Sequence, residues 1–253
     1  MRVTLNGYVV ADDDAWIYRR FGYSVFSPAV VRQAIRDNPE GEELVLEINS
    51  GGGSVFAGFE MYSVLRSAKC KTRAEVQSLA ASAASTLMLG ADEVWVSPVA
   101  QVMVHLPSTS TEGDRRDHLE SVGVLDSLTE SILNGYEAKC RGKRSRDELA
   151  RMMRSSTWLT AQEALDAGLA DGILYQEGTE PLPGQIVNAV GGGIRALANG
   201  GGLPDAGQLR ARYEALGSPP PDPNRPNQGG APGPNNQDGW QAQAALDIEK
   251  FRF

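Results

Sequence analysis

The sequence has few of the residues that build disulfide frameworks and metal sites. Its 253 residues include two cysteines, Cys70 and Cys140, which stand far apart with no CxxC spacing, and only two histidines. A disulfide framework and a zinc site are therefore not expected, and two reduced thiols in a cytosolic compartment are the simplest interpretation. No metal ion or organic cofactor is implied.

Long apolar runs and an excess of positive charge are also lacking. No apolar stretch approaches the ~20 residues needed to span a bilayer, and the opening MRVTLNGYVVADDD has no apolar signal core. Lysine and arginine total 24 against 32 acidic residues, and the resulting net charge of -8 disfavours contact with phosphate backbones and acidic membranes. We therefore expect a protein that is neither exported nor membrane-embedded and that does not bind nucleic acid.

Hydrophobic patterning predicts alternating strands and helices. Such alternation is typical of an α/β domain with crossover connections between parallel strands. The predicted strands cover residues 1–10, 43–50, 71–77, 93–96, 101–104 and 172–175. The predicted helices cover residues 27–39, 56–68, 82–90, 116–140, 145–155 and 160–168.

The composition changes after residue 183. We expect one folded domain over 1–180 and a glycine-rich segment over 181–216 that contains a short helix at about 204–216. The stretch 217–239 is rich in proline, glycine and asparagine and cannot bury a core, so it is interpreted as a disordered linker. The last residues, 240–253, return to an amphipathic helical pattern and are interpreted as a docking peptide.

A glycine-rich turn follows the strand predicted at 43–50. In INSGGGSVFAG, three glycines separate this strand from the next helix, and such a turn lets backbone amides approach an anion without side chains in the way. A plain strand-to-helix turn is the alternative interpretation. The turn lacks the GxxxxGK[ST] and GxGxxG spacings, which disfavours a nucleotide phosphate as its ligand.

A serine and a histidine form the candidate chemical centre. Ser82 begins the small-residue helix of SLAASAASTLMLGA, where a serine is usually a helix cap. His105 ends the apolar strand QVMVH, which follows this helix directly, so a short return connection can bring the imidazole beside Ser82. A serine hydroxyl is barely ionised at neutral pH and needs such a base to attack. The pair predicts nucleophilic serine chemistry.

Four blocks of sequence carry a resemblance to a known family. INSGGGSVFAGFEMY, SLAASAASTLMLGA, AQVMVHLP and TWLTAQEALDAGLADGIL resemble, in order and spacing, the proteolytic subunit of the Clp protease over about residues 1–176. The resemblance implies a serine peptidase with a ClpP/crotonase-like spiral of βαβ units and a handle-type helix at 116–140. The opening NGYVVADDDAWIYRRFG and the appended tail are most similar to the ClpP-related head maturation proteases of tailed bacteriophages.

The resemblance also implies roles for individual residues. Ser82 matches the family's nucleophile and His105 matches its general base. Gly53 and Ala83 match the two positions whose backbone N–H groups form the oxyanion hole, and Gly52 lies in the same turn. The remaining glycines match the strand to which a substrate peptide would add.

The third catalytic position departs from the family pattern. The family has an aspartate two residues before the aromatic residue of its last block, and here Ser156 stands two residues before Trp158. A hydroxyl at Ser156 or Thr157 can hold the imidazole tautomer, but it does not stabilise an imidazolium as a carboxylate does. Three aspartates are possible substitutes: Asp114, Asp117 and Asp147.

The resemblance implies a polypeptide substrate, a homo-oligomer, and a location in the host cytoplasm or the prohead interior, where scaffold and capsid proteins would be cleaved. A host-type Clp subunit and a catalytically degenerate scaffold protein are alternatives. A serine/lysine dyad would need a lysine near Ser82, and a thioester-processing crotonase relative would need neither Ser82 nor His105.

Overall fold

The computed structural model describes residues 1–175 and 203–216. Eight strands occur in these ranges: β1 (Arg2–Val9), β2 (Val25–Phe26), β3 (Leu44–Gly53), β4 (Thr72–Ala81), β5 (Glu93–Val96), β6 (Gln101–Val104), β7 (Thr157–Thr160) and β8 (Gly172–Ile173). The helices are α1 (Asp12–Arg20), α2 (Pro28–Asp37), α3 (Val55–Arg66), α4 (Ala83–Met88), α5 (Arg115–Cys140), α6 (Arg146–Arg154), α7 (Ala161–Ala167) and α8 (Ala206–Ala215). The predicted linker at 217–239 and the predicted helix at 240–253 lie outside the described residues.

The described strands form one sheet in the order β2-β1-β3-β4-β5-β8, with β6 paired to β4 and β7. Every pair is parallel except β6 with β7. Parallel strands need crossover connections and are covered by helices, so their buried faces are rich in branched aliphatic residues. The α/β class with a parallel sheet is therefore confirmed, while the spiral and the handle role of α5 stay predictions.

The main core lies between this sheet and the helices that cross it. Leu46 and Ile48 of β3 and Val76 of β4 are fully buried against Met61 of α3 and Leu87 of α4. The small residues of α4 allow close approach, since Ala83 and Ala84 are both buried in the same cluster as β3 and β4. This packing places the beginning of α4 directly beside the glycine-rich end of β3.

The sheet divides along β4. The first half of β4 pairs with β5 over Arg73 to Val76, and the second half pairs with β6 over Leu79 to Ala81. Because the pairing partner changes within one strand, the carboxyl ends of β4 and β6 meet at the same edge. Residues that follow these two strands are therefore neighbours in space.

The structure confirms several predicted helix boundaries. The helix predicted at 116–140 is α5, and the expected capping boxes begin α6, with Ser145 and Glu148, and α7, with Thr160 and Glu163. In each box the side chain of the first residue accepts a hydrogen bond from the backbone of the glutamate, whose carboxylate accepts one in return.

Three elements, α1, β2 and β7, were not predicted. The helix α1 packs its Ile17 and Tyr18 in a second, smaller hydrophobic cluster that includes Leu209 of α8. Tyr18 donates its hydroxyl proton to the carbonyl of Pro204 at 2.9 Å. Four residues of this cluster, Leu203, Ala206, Leu209 and Tyr213, come from a segment almost two hundred residues away, so the packing of α1 depends on contacts that its local sequence does not report.

Candidate active site

The edge where β4 and β6 end holds both candidate catalytic side chains. Ala81 pairs with Met103 in the parallel ladder, and the N–H of Ser82 donates to the carbonyl of Met103 at 3.0 Å. Ser82 and His105 thus stand just beyond the ends of neighbouring parallel strands, where the sheets of α/β proteins commonly hold their ligands. As expected from the sequence, the connection through β5 and β6 returns the chain so that His105 lies next to Ser82. The catalytic roles of the two residues stay predictions.

Ser82 does not behave as a helix cap. It precedes the first residue of α4, yet its side chain accepts no hydrogen bond from the helix amides. Its backbone angles, φ 56° and ψ -127°, lie in a region that side-chain-bearing residues rarely adopt, at a cost of about 1–3 kcal/mol. The usual capping interpretation is therefore wrong for Ser82, and the turn directs its hydroxyl away from the helix.

The Ser82 hydroxyl instead meets the imidazole of His105. Ser82 Oγ lies 2.8 Å from His105 Nε2, within range for direct proton transfer. Burial lowers the pKa of His105 below its ordinary value of 6.5. A neutral imidazole at neutral pH accepts the serine proton at Nε2 and carries its own proton on Nδ1, which is the arrangement that a general base requires.

The glycine turn lies against the same serine. A Cβ atom added to Gly52, which has φ +95°, would come within 2.6 Å of Ser82 Cβ and of the carbonyl oxygen of Ala81. The backbone of β3 therefore approaches the serine more closely than any side chain at position 52 would allow.

The backbone arrangement makes two amide groups near Ser82 candidates for donating to an oxyanion. The N–H of Ser54 donates to Val9 on one edge of β3, and N–H groups alternate between strand edges, so the N–H of Gly53 is directed to the opposite edge, where Ser82 lies. Ala83 is the first residue of α4, and the first N–H of a helix has no acceptor within it. The N–H of Gly52 differs, because it donates to Ser50 Oγ at 3.1 Å.

Replacing Gly52 with alanine is expected to destabilise the protein by about 2–4 kcal/mol, because the new methyl group collides with rigid backbone at a positive φ. Gly41→Ala is the matched control: Gly41 also has a positive φ, +80°, but an added Cβ meets nothing within 4 Å. Urea unfolding should show the larger loss for Gly52→Ala. Equal losses for the two variants would contradict the close packing of the turn on Ser82.

The residues around the serine form a mostly apolar pocket. Its lining comes from the start of α3, the start of α4, the residues after β6, and the buried part of α5: Val55, Phe59, Ala83, Thr86, Pro107, Ile132 and Tyr136. Phe56, next to this pocket, is exposed and packs edge-on against Phe59. The pocket has a volume of about 10 Å³, which is room for about one water molecule, so in this form it does not hold a side chain of a substrate.

Comparison with known proteins decides the family. Residues 30–177, more than half of the chain, match the Clp protease family. The chain belongs to the Clp protease family. It is 34% identical over 142 residues to ATP-dependent Clp protease proteolytic subunit 1 of Chlamydia abortus, which covers 54% of this chain and 72% of that protein. It is 32% identical over 134 residues to proteolytic subunit 2 of Nocardia farcinica, covering 52% of this chain and 65% of that protein.

Members of the Clp protease family are serine peptidases that act on polypeptides and form oligomers. Membership of this family therefore favours a peptidase over a protein that shares only the fold. The matched region begins at residue 30 and leaves out β1, α1 and β2. The helix α8 lies beyond its other end.

Within the described part of the chain, neither candidate for the third catalytic position is hydrogen bonded to His105. Val104 pairs with Thr157 across β6 and β7, so His105 and Ser156 are the next residues beyond that pair. Ser156 is exposed, has φ 49°, and forms no hydrogen bond with His105 within residues 1–175 and 203–216. The hydroxyl of Thr157 donates to the carbonyl of Met152 instead. The orienting residue therefore stays a prediction.

The described aspartates and lysines that the sequence offered as alternatives form no hydrogen bond with Ser82 or His105. Asp114 and Asp117 form the capping box of α5, and Asp147 lies in the first turn of α6. Lys139 forms an ion pair with Asp171. No lysine within the described ranges forms a hydrogen bond with Ser82, and Lys250 lies outside them, so the described residues give a serine/lysine dyad no support.

Two functional candidates were missed from the sequence. Ser85 and Tyr136 are hydrogen bonded to each other, and Ser85 also donates to the carbonyl of Ser82. A serine three residues after the nucleophile was the available signal. The described residues contain no metal-binding cluster of histidine, cysteine and acidic side chains, and none of their helices is both long and apolar enough to cross a bilayer.

Proposed function

We propose that this protein is a ClpP-type serine endopeptidase in which Ser82 is the nucleophile and His105 is the general base. The observation that carries the proposal is the 2.8 Å contact between Ser82 Oγ and His105 Nε2, made by a serine that does not cap its helix. Family membership supplies the reaction class and the class of substrate, a polypeptide.

The proposed reaction follows from this arrangement. His105 Nε2 removes the proton of Ser82 Oγ as the oxygen attacks the carbonyl carbon of the scissile peptide bond. The N–H groups of Gly53 and Ala83 donate to the oxyanion that forms. His105 then gives its proton to the leaving amine, and the C–N bond breaks. Water, activated by the same imidazole, hydrolyses the remaining acyl-Ser82 ester.

A homo-oligomer is part of the proposal. The first two thirds of α5 extend away from the domain, and Leu119 and Val122 on this part are each 52% exposed. Because these two residues are three apart, they share one face of the helix and form an apolar surface that no element among residues 1–175 and 203–216 buries. A helix this long gains most of its stability from packing, so a second copy is the proposed cover.

We further propose that the substrates are scaffold and capsid proteins of a tailed phage, cleaved in the host cytoplasm or the prohead interior. The resemblance of the opening segment and the tail to head maturation proteases supports this assignment. The parts outside the family match also pack together: Trp16 of α1 lies edge-on against Tyr213 of α8, with ring centroids 5.5 Å apart. The segments before and after the matched region therefore pack against each other.

A host-type proteolytic subunit is the second candidate function. It is favoured by the relatives, which are named as proteolytic subunits of ATP-dependent Clp proteases. A degenerate scaffold protein is the third, and it is favoured by the absence of a carboxylate at position 156. The two peptidase functions differ in whether cleavage of a folded protein needs an unfoldase. The scaffold function involves no cleavage.

Co-expression with scaffold and capsid genes of a tailed phage separates these functions. A head maturation protease trims these proteins without an unfoldase, and Ser82→Ala abolishes the trimming, as read from product masses. A host-type subunit cleaves short peptides but needs an ATP-dependent unfoldase for folded proteins. Absence of cleavage in both assays would favour the scaffold function and contradict the peptidase assignment.

The segments 217–239 and 240–253 are proposed as a tether and a docking peptide for scaffold or capsid protein. In the same co-expression, a variant that lacks residues 217–253 is expected to keep peptide cleavage and to lose incorporation into proheads. Unchanged incorporation would remove the docking role and leave the peptidase assignment intact.

A further inference from the structure

The carbonyl group of Ser82 is held by an unusual number of donors. It accepts a hydrogen bond from the N–H of Ser85 at 2.9 Å, one from the N–H of Thr86 at 3.3 Å, and one from the hydroxyl of Ser85 at 2.7 Å. The first two belong to the ordinary start of a helix. The third comes from a side chain and fixes the carbonyl from a second direction.

Ser85 is itself held by Tyr136 of α5. The two hydroxyl oxygens are 2.7 Å apart, Ser85 is fully buried, and Tyr136 is 2% exposed. A serine hydroxyl has one proton, and here that proton goes to a carbonyl, which only accepts. Tyr136 must therefore donate to Ser85. Burial raises the pKa of Tyr136 above its ordinary value, so the phenol keeps this proton at working pH.

The direction of this hydrogen-bond chain matters because of what lies on the other side of the peptide bond. The carbonyl of Ser82 and the N–H of Ala83 belong to one planar trans peptide unit and point in opposite directions. Fixing the carbonyl therefore fixes the direction of the Ala83 N–H, one of the two donors proposed for the oxyanion. Hydrogen bonds to the carbonyl also polarise the unit, which strengthens the N–H as a donor.

We propose that Ser85 and Tyr136 are positioning residues that orient the oxyanion-binding amide of Ala83 through the carbonyl of Ser82. This inference rests on the proposed serine peptidase function. Neither side chain touches the reacting atoms. The backbone of Ser82 adopts a disfavoured conformation, so the peptide unit needs these external contacts to stay in one orientation.

A purely structural role for the two hydroxyls predicts a different result. A buried hydrogen bond that only stabilises the fold changes the free energy of unfolding and leaves the folded enzyme's turnover unchanged. A bond that orients an oxyanion donor acts in the transition state, where the oxyanion exists. It therefore changes kcat and leaves KM nearly unchanged.

The test uses Tyr136→Phe, Ser85→Ala and the double variant, assayed with a fluorogenic peptide below the unfolding temperature of each. Complete loss of one oxyanion donor typically costs ~10²–10³ in kcat, so misdirecting it should cost less. We expect roughly threefold to tenfold loss for Tyr136→Phe, which keeps the Ser85 bond, and a larger loss, more than about tenfold, for Ser85→Ala.

The double variant tests whether the two hydroxyl groups act in series. The inference has Tyr136 act through Ser85, so Ser85→Ala/Tyr136→Phe should be no slower than Ser85→Ala alone. Tyr18→Phe is the matched control, because it also removes a buried tyrosine hydroxyl that donates to a carbonyl, but far from Ser82. Tyr18→Phe should leave kcat unchanged.

Several results would overturn the inference. Wild-type kcat in Tyr136→Phe and Ser85→Ala, or losses that multiply in the double variant, would show that the hydroxyls do not act through one carbonyl. In either case the proposed function survives if wild-type activity still depends on Ser82. A wild-type protein with no Ser82-dependent cleavage and no reaction of Ser82 with a fluorophosphonate would remove both the function and this inference.

Discussion

Ser82→Ala is expected to lower kcat/KM for peptide hydrolysis by at least about 10³-fold. Without the serine nucleophile, only substrate binding and the oxyanion donors still contribute to the rate. His105→Ala should cause a loss of similar size. If the two residues act as one unit, the double variant should be no worse than either single variant. The measurement is the initial rate on a fluorogenic peptide with purified, folded protein.

Ser78→Ala is the matched control for this experiment. Ser78 lies four residues before Ser82 on the same strand, and its side chain is exposed. It should retain wild-type kcat/KM. If Ser82→Ala and Ser78→Ala were equally active, the hydrolysis would come from another residue or from a contaminant, and the assignment of the nucleophile would fail.

Ser156→Asp is expected to raise kcat by roughly 10²-fold, which is part of the ~10⁴-fold that a triad carboxylate contributes when it is fully placed. Position 156 directly precedes Thr157, which pairs with Val104, the residue before His105, so a carboxylate there is expected to reach the imidazole. The positive φ of Ser156 is tolerated by aspartate. The carboxylate would stabilise the imidazolium that forms during attack.

The same substitution has a signature in the pH profile. The base is active when neutral, and burial lowers the pKa of His105 in the wild type, so activity should persist to a pH below 6.5 before it falls. A neighbouring carboxylate favours the charged imidazole and raises this pKa. The acid limb of kcat/KM should therefore move to higher pH in Ser156→Asp.

Two controls separate placement from charge. Ser155→Asp adds the same charge one residue earlier, at the end of α6, and Ser156→Asn adds the same bulk without charge. Both should leave the rate and the acid limb close to wild type. A rate gain in Ser155→Asp equal to that in Ser156→Asp would mean that position 156 has no special relation to the imidazole.

Much of the fold followed from local patterns. The long helix α5 and the capping boxes of α6 and α7 were predictable because amphipathic spacing and caps act within a few residues. The helix α1 was not, since its apolar partner Leu209 lies in α8, and no local pattern reports such a contact. The short strand β7 was missed because it has a single neighbour, β6, and only one buried residue.

The candidate site shows the same division. The pairing of Ser82 with His105 was predictable because parallel strands bring their carboxyl ends together. The left-handed backbone of Ser82, the bond that occupies the Gly52 amide, and the chain from Tyr136 to the Ser82 carbonyl depend on torsion angles and on contacts between distant segments. Those features required coordinates.

The central claim is that the fold activates the hydroxyl of Ser82 through His105. Intact-mass analysis and peptide mapping after treatment with a fluorophosphonate test it directly. The account predicts one adduct, on Ser82, formed rapidly in the wild type and in Ser78→Ala and lost in His105→Ala. An unlabelled Ser82 in folded, assembled protein, or equal labelling in His105→Ala, would contradict it.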